Sequence, residues 1–171
     1  MHRWSDLETA EPAMAATARR RFWIPGFGLG YLATVRRDGG PRIHPINVAI
    51  VDGRLVAFIV PSPKLDDLRR DGRYALHAPG SDTENDEVMV AGRAVVRDGD
   101  AGFRAAAIAA MPFTPGGDHV LVELGLGTVL WAEYATPPSW PPTYHRWRAA
   151  EGTFGHGSAG PTDRGGTGER A

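Results

Sequence analysis

Short apolar runs separated by glycine-containing turns dominate the first half of the chain. Residues 31–35, 43–50 and 55–60 are rich in aliphatic, β-branched and aromatic side chains, a composition typical of β-strands. Residues 37–40 (Arg-Asp-Gly-Gly) separate the first two runs, and Asp52-Gly53 separates the second from the third. Because these turn residues readily adopt positive φ, the pattern predicts three consecutive antiparallel strands joined by two hairpins.

The third predicted strand leads into a short helix over residues 62–70. Ser62 is a favourable N-cap residue, and Pro63 suits the first helical position because an N–H would have no helical partner there. Leu65 and Leu68 lie three positions apart and therefore share one face of the helix. The pattern predicts an amphipathic helix that packs against the sheet through these two leucines.

The start of this helix is also a predicted anion-binding site. The first turn of a helix leaves backbone N–H groups unpaired and has the positive end of the helix dipole. Lys64 adds a positive charge to that turn. It is the only lysine of the chain, and all other side chains that are fully charged cations are arginines. Asp66 and Asp67 are expected to stabilise the dipole. The alternative interpretation is an ordinary capped helix with a solvated lysine.

Further apolar runs extend the predicted sheet. They comprise residues 73–78, 87–96, 119–125 and 128–135, and Gly92 favours a bend or bulge within the second of them. A helix is predicted over residues 101–111, with Asp98 or Asp100 as its cap. Six or seven short strands with hairpin spacing and few helices favour a closed antiparallel barrel, which also removes exposed sheet edges.

The N-terminal region predicts one or two helices within residues 5–22. Ser5 and Glu8 have the spacing of a capping box, and Pro12 suits the start of a second helix. The glycine-rich residues 26–30 superficially resemble a dinucleotide-binding loop. Such a loop follows a strand and opens a helix, whereas this one follows a helix and opens a strand. We therefore interpret it as a connection.

The chain changes character after residue 135. Prolines at 137, 138, 141 and 142 are expected to break any regular element, while Trp140, Tyr144 and Trp147 are expected to pack against the rest of the domain. Beyond residue 150 the sequence is rich in glycine and polar residues and has no apolar period. We expect one folded domain over residues 1–150 and a disordered, glycine-rich tail over residues 151–171.

Composition excludes several classes of function. A net charge of −1 and a pI near 6.6 give no electrostatic footprint for nucleic acid or an anionic membrane surface. The absence of cysteine excludes disulfides, thiolate metal sites and a cysteine nucleophile. No spacing of histidines or carboxylates indicates a metal site. No apolar run reaches the roughly 18–20 residues of a membrane span, and residues 1–11 lack the apolar core of a signal peptide, so we expect a cytoplasmic protein.

Several of these segments, taken in order, resemble the FMN-binding split β-barrel proteins, the pyridoxamine 5′-phosphate oxidase-like group. The matching segments are residues 32–35 (Leu-Ala-Thr-Val), 38–39 (Asp-Gly), 41–45 (Pro-Arg-Ile-His-Pro), 52–55 (Asp-Gly-Arg-Leu), 62–64 (Ser-Pro-Lys), 67–71 and 73–76. The resemblance covers roughly residues 10–150. It implies a mainly β fold with a few helices, a six- or seven-stranded antiparallel split β-barrel of Greek-key type.

The resemblance also implies a coenzyme site. The second strand would run along the flavin edge, with main-chain groups near Pro45, Ile46 and Asn47 contacting the ring. His44 would face the coenzyme phosphate, at a position that is commonly basic in this group. The implied cofactor-binding residues are His44, Pro45, Ile46, Asn47, Val60, Ser62, Pro63 and Lys64. Pro63 stands where the oxidases usually have arginine, so one expected charge is missing, and Arg42 is a possible substitute. A surface or structural histidine is the alternative for His44.

The implied function is hydride transfer between a bound coenzyme and a small organic substrate. FMN is the first expectation, the deazaflavin coenzyme F-420 is the alternative, and haem is the weakest. Because the coenzyme supplies the chemistry, no catalytic side chain is identified. A non-enzymatic flavin- or haem-binding carrier or sensor, and an empty barrel that serves as an interaction module, remain as alternatives.

The resemblance further implies a homodimer with the coenzyme in the cleft between two barrels. The aromatic residues near the end of the chain fit either a dimer interface or, for Trp131, packing within one chain. Pyridoxamine phosphate oxidases bind their substrate with an Arg-x-His arrangement near the C-terminus. This chain has His145-Arg146 without that spacing, which argues against a role in vitamin B6 synthesis.

Overall fold

The structure is a computed structural model that describes residues 1–24, 26–97, 99–135 and 140–150. Within these ranges the chain forms four helices and eight strands. The helices are α1 (Trp4–Ala10), α2 (Pro12–Phe22), α3 (Pro63–Arg70) and α4 (Ala101–Ala109). The strands are β1 (Leu29–Val35), β2 (Pro41–Asn47), β3 (Ala49–Val51), β4 (Arg54–Ile59), β5 (Arg73–His77), β6 (Glu87–Val96), β7 (Val120–Glu133) and β8 (Thr143–Arg148). The predicted tail, residues 151–171, and Asp98 lie outside the described residues.

The strands form one antiparallel sheet in the order β2-β1-β5-β6-β7-β4-β3, and β8 pairs with the second half of β7. β2 and β3 are the two ends of this path, yet only Val48 separates them in sequence. The bent segment pairs with β1 through its first part and with β4 through its second part, which curls the sheet into a barrel. The predicted mainly β, antiparallel split-barrel fold is confirmed.

Gly28 explains why the run of residues 43–50 is two strands instead of one. Its carbonyl oxygen accepts a hydrogen bond of 3.0 Å from the Val48 N–H. A Cβ atom on Gly28 would lie 2.0 Å from the Val48 carbonyl oxygen, so a residue with a side chain could not approach this closely. Because Val48 is held there, the chain before it pairs with β1 and the chain after it pairs with β4.

The two strands predicted over residues 119–125 and 128–135 are a single strand, β7. Its first half pairs with β4 and its second half with β8, while β6 pairs along both halves. The register of β6 shifts between Ala91 and Gly92, which confirms the predicted bulge. A Cβ atom on Gly92 would lie 1.9 Å from the Gly125 carbonyl oxygen. These glycines therefore allow two strands to pass closely and do not form a turn.

The proline-rich segment contains a strand that the sequence did not predict. β8 begins directly after Pro142 and pairs with β7 from Thr128 to Glu133. Trp147 on this strand packs against the hydrophobic core, as expected, whereas Trp140 before it is 77% exposed. The prolines end before the strand starts, and the edge of β7 supplies hydrogen-bonding partners that a local pattern does not reveal.

Two buried apolar clusters hold the barrel and its helices together. The larger one fills the barrel and the space beneath α1 and α2; its members include Trp4, Leu7, Phe22, Leu32, Leu55, Leu76, Val90 and Leu124. α3 adds Leu65 and Leu68 to this cluster, as predicted from their spacing. The smaller cluster joins β3 and β4 to α4 through residues that include Val56, Phe58 and Phe103. These two leucines therefore hold α3 against the sheet.

The N-terminal helices are confirmed, but their first cap differs from the prediction. α1 begins at Trp4, and the Asp6 carboxylate accepts a hydrogen bond of 2.8 Å from the Arg3 N–H. Ser5, predicted to pair with Glu8 in a capping box, instead donates its backbone N–H to the Gly53 carbonyl oxygen at 3.1 Å. This bond ties α1 to the hairpin between β3 and β4, where Asp52 and Gly53 have φ of +48° and +68°.

Candidate functional site

The start of α3 has the backbone geometry of a capped helix, although the cap differs in detail. Ser62 is extended, Pro63 is the first helical residue, and the Ser62 carbonyl oxygen accepts hydrogen bonds from Leu65 and Asp66 at 2.9 and 3.1 Å. The Ser62 hydroxyl, predicted to accept from the helix, instead donates to the Val60 carbonyl oxygen at 2.8 Å. The hydroxyl therefore stabilises the turn that leads out of β4.

Lys64 lies in this first turn and is half-buried. Its stem is therefore partly covered while its ammonium group lies at the positive end of the helix dipole. Asp66, two residues further in the same turn, is exposed and can stabilise the dipole as predicted. Among the pairs of the described residues, no carboxylate lies within salt-bridge distance of Lys64. The Lys64 ammonium is therefore not engaged by a direct ion pair in this part of the chain.

Asp67 differs from its predicted role, because its side chain turns into the protein. The residue is only 4% exposed. Its carboxylate accepts hydrogen bonds from Thr34 Oγ1 at 3.0 Å, from Arg42 Nε at 2.8 Å and from Arg70 Nη1 at 3.3 Å. Burial raises the pKa of this carboxyl group, but the hydrogen bonds from Arg42, Thr34 and Arg70 outweigh burial and lower the pKa below its ordinary value. Asp67 is therefore a charged, buried junction between α3, β1 and β2.

These contacts determine the direction in which α3 crosses the sheet. Arg70, at the C-terminal end of α3, donates to the Val35 carbonyl oxygen, and Val35 pairs with Pro41. Asp67, nearly one turn earlier, contacts Thr34 and Arg42, which are also paired. Asp67 and Arg70 therefore hold the C-terminal half of α3 against the paired ends of β1 and β2. At the start of the helix, Pro63 and Asp66 line a cleft together with residues 36–38 of the β1–β2 hairpin.

The two faces of β2 differ as the alternation predicts. Arg42 and His44 are half-buried and Ile46 is buried, whereas Ile43 and Pro45 are exposed. β2 is also the first strand of the sheet path and pairs only with β1 along its length, so the main-chain groups on its other edge have no partner strand in the described part of the chain. Because Ile46 is buried, it can offer a ligand only its main-chain atoms.

Asn47 is held in place at the end of β2. Its Nδ2 atom donates to the Gly28 carbonyl oxygen at 3.3 Å, the same oxygen that accepts from Val48 N–H. The side chain is half-buried. This contact orients the amide and leaves its Oδ1 atom as an acceptor. The end of β2 is thus tied to the residue that precedes β1.

A cleft of about 440 Å³ lies between α3 and the β1–β2 hairpin. It is lined by Arg36, Arg37, Asp38, Arg42, Pro63, Asp66, Asp67 and Arg70. Of the predicted site residues only Pro63 lines it, and His44 and Lys64 lie outside it. Arg42, considered as a substitute phosphate ligand, is already paired with Asp67. The cleft is therefore an extensively ion-paired surface beside the helix start.

A second cluster of polar contacts, which the sequence did not predict, surrounds Asp86 directly before β6. The Asp86 carboxylate accepts from Trp131 Nε1 at 2.9 Å and from the Tyr134 N–H at 3.1 Å. The Trp131 ring stacks on His145 with 4.5 Å between ring centroids, and His145 Nε2 lies 2.8 Å from Glu133 Oε2. Trp131 therefore packs within one chain. A tryptophan on a predicted strand could have indicated this contact, because an indole N–H that is partly buried requires a hydrogen-bond acceptor.

Within the described ranges, no group of three histidine, aspartate or glutamate side chains could hold a metal ion. The same part of the chain has no helix that is long and apolar enough to span a bilayer.

The structure brings Val60, Ser62, Pro63 and Lys64 together in one turn and His44, Pro45, Ile46 and Asn47 together on one strand. Whether a coenzyme bridges the two groups stays a prediction.

Comparison with protein-family models gives no match, and comparison with curated protein sequences gives none. Solved structures do match. A heme binding protein from Mycobacterium smegmatis aligns with a TM-score of 0.59 and 21% identity over 78% of this chain, which spans only 57% of that protein. A protein from Clostridium acetobutylicum related to general stress protein 26, of the pyridoxinephosphate oxidase family, aligns with a TM-score of 0.57 and 11% identity, covering 81% of this chain and 95% of that one.

PhzG from Burkholderia lata 383, solved in complex with tetrahydrophenazine-1-carboxylic acid, is a third match. Its TM-score is 0.54 at 13% identity, with 84% of this chain and 96% of PhzG covered. Identities this low establish a shared fold and leave activity open. The chain therefore has the split β-barrel fold found in the pyridoxine phosphate oxidase family and in a heme binding protein.

Proposed function

We propose that this protein is a flavin- or deazaflavin-dependent oxidoreductase that transfers hydride between a bound coenzyme and a small organic substrate. The observation that supports this most directly is the position of Lys64. It is the only lysine of the chain, it lies in the first turn of α3, and the Asp67–Arg42 ion pair ties α3 to β2, the strand of His44.

The coenzyme phosphate would bind at the start of α3. A phosphate monoester has close to two negative charges and forms strong hydrogen bonds with cations and N–H groups. Lys64 supplies a full positive charge, the helix N-terminus supplies partial charge, and His44 supplies a ring nitrogen on the adjoining strand. Arg42 is not counted because its Nε atom is 2.8 Å from the Asp67 carboxylate. Its role would be to hold α3 and β2 together.

The tricyclic ring would lie along the free edge of β2. Among the described residues no strand pairs with the main-chain groups near Pro45, Ile46 and Asn47 on that edge, and Pro45 has no N–H to block a close approach. FMN and the deazaflavin share a phosphate and a planar ring, so this arrangement fits both. When bound, either coenzyme supplies the hydride chemistry, and the protein positions the ring and controls access to it.

The exposed surface of β2 supports a homodimer. Ile43 is 64% exposed and Tyr31 is 45% exposed, and both lie on the outer side of the sheet with Pro45. Large apolar side chains that are this exposed and lie on the same face are typical of a surface that another protein covers. A second copy that covers this surface would also enclose the ring edge of β2, and thereby exclude water from the coenzyme.

A haem-binding carrier is the second candidate function, because the M. smegmatis match is a heme binding protein. Titration of the purified protein with FMN, with the deazaflavin and with haemin distinguishes the two functions. We expect saturable binding of FMN or deazaflavin, followed by reversible reduction of the bound coenzyme when an electron donor is added under anaerobic conditions. Saturable binding of haemin with neither coenzyme bound would refute the oxidoreductase proposal and favour the carrier.

A further inference from the structure

A cavity of about 840 Å³ lies at the far end of α3 from Lys64. Its walls are the last turn of α3, the bulged part of β6, the middle of β7 and the two ends of the described chain. The lining includes Leu68, Arg69, Gly92, Ala94, Leu126 and Ala150. This volume is within the range of pockets that bind small molecules or peptide side chains. Most of the lining is apolar, and the coenzyme site proposed above does not use it.

The rim of this cavity is positively charged. Arg69, Arg70 and Arg93 line it together with a single carboxylate, that of Asp71. Arg70 is already paired with Asp67 at 3.3 Å, so the positive charge of the rim comes from Arg69 and Arg93. Both oxygens of the Asp71 carboxylate are already paired with Arg73, at 2.6 and 2.7 Å. Arg93 donates to the Asp71 main-chain oxygen and therefore keeps its charge. An occupant with an apolar group and a negative charge would complement this surface.

The C-terminal part of the chain leaves the described structure at the mouth of the cavity. Ala149 N–H donates to the Gly127 carbonyl oxygen at 2.9 Å, and His2 Nε2 lies 3.0 Å from the Ala150 carbonyl oxygen. Ala150, which lines the cavity, is therefore held in place, and the tail must begin there. The next residues are Glu151, Gly152, Thr153 and Phe154.

The composition of that segment matches the cavity. Phe154 is the only aromatic residue of the tail, which has no Leu, Ile, Val or Met. Four extended residues span at most about 13–14 Å, so the ring can reach the interior. Glu151 is the first tail residue and can reach the arginine rim, while Gly152 permits the chain to turn back. A tethered segment has an effective concentration on the order of millimolar, so weak contacts suffice for docking.

We propose that residues 151–154 dock in this cavity, with the Phe154 ring in the apolar interior and the Glu151 carboxylate at the arginine rim. Docking of this segment does not depend on coenzyme binding.

The absence of cysteine makes a cross-linking test direct. One variant of the full chain has Ala94→Cys with Gly155→Cys, which keeps the Phe154 ring, and its control has Arg148→Cys with Gly155→Cys. Arg148 is exposed, close to Ala150 and on the outer side of the sheet opposite Thr128, so an undocked tail reaches it easily. We expect the first pair to form a disulfide about tenfold faster than the control. Equal rates, or a faster control, would overturn the proposal. Val95→Cys, at another lining residue, replaces Ala94→Cys if that variant does not fold.

A ligand competition measures the same docking without cysteine. Decanoate has an apolar chain and a carboxylate, and it is expected to bind Phe154→Ala more tightly than the unchanged protein, because the substitution removes the competing ring. Thr162→Ala, further along the tail, is the control and is expected to bind decanoate like the unchanged protein. Identical decanoate binding by the unchanged protein and Phe154→Ala would show that the tail does not occupy the cavity.

Discussion

The Asp67 carboxylate and the Arg42 guanidinium form an ion pair with 2.8 Å between Oδ2 and Nε. The pair connects α3 to β2, the two elements on which the proposed coenzyme site is built. Thr34 and Arg70 add hydrogen bonds to the same carboxylate, so three elements converge on one buried charge. The geometry of the site therefore depends on a residue that need not touch the coenzyme.

Asp67→Asn is expected to lower the free energy of unfolding by about 1.5–3 kcal/mol at neutral pH, because hydrogen bonds to a charged group are replaced by weaker neutral ones. Urea denaturation followed by circular dichroism measures this loss. Asp66→Asn is the matched control, since Asp66 lies next to it on the same helix but is exposed, and a change within about 0.5 kcal/mol is expected there. Equal effects of the two substitutions would contradict the assigned role.

The stabilisation by Asp67 should also depend on pH. The pKa of Asp67 is lowered in the folded chain, so its contribution is complete above the pKa of the unfolded chain, about 3.9, and is lost as the pH falls through the folded value. The difference in stability between the unchanged protein and Asp67→Asn should therefore shrink below about pH 4. Urea titrations across the acid range would reveal this, and a difference that stays constant would argue against a charged Asp67.

Lys64→Ala is expected to weaken coenzyme binding at least about tenfold, because a charge-assisted contact to phosphate contributes roughly 1.5–3 kcal/mol. Isothermal titration with FMN or the deazaflavin measures the change, and an unaltered thermal midpoint would show that the fold is intact. Arg37→Ala removes an exposed positive charge from the β1–β2 hairpin and serves as the control. If both variants bind like the unchanged protein, Lys64 is not part of the site.

Ile43→Arg is expected to shift the protein from dimer to monomer in sedimentation velocity, because it places a charge in the centre of the proposed apolar interface. Phe113→Arg adds the same charge at an apolar residue that is 38% exposed but does not lie on β2, and it is expected to leave the dimer intact. An unchanged protein that sediments as a monomer at all concentrations, or an Ile43→Arg protein that stays dimeric, would remove this interface from the proposal.

Gly92→Ala is expected to destabilise the barrel by about 1–3 kcal/mol, the range of overpacking substitutions. The added Cβ atom would lie 1.9 Å from the Gly125 carbonyl oxygen on β7. Gly80→Ala is the control, because nothing lies within 4 Å of its Cβ position. Thermal denaturation compares the two, and equal midpoints would show that β6 and β7 can separate at the bulge without cost.

Local sequence patterns determined the elements whose causes are local. Asp52-Gly53 forms its hairpin because these residues accept positive φ, and α2 begins at Pro12 because a missing N–H is harmless there. Leu65 and Leu68 identify the buried face of α3 because side chains three apart lie together. The fold class followed from many short strands with hairpin spacing, and so did the placement of His44 and Lys64 on two separate elements.

Only the tertiary structure decided which elements meet and what that does to individual residues. Residues 43–50 divide at Val48 because Gly28, some twenty positions earlier, approaches its backbone. β7 continues through Gly125 because β6 crosses there, and Asp67 is buried because Thr34 and Arg42 lie beneath α3. Each of these outcomes depends on a contact between residues far apart in sequence. A local pattern records the preference of a segment, whereas burial and hydrogen bonding depend on the partner that the fold brings to it.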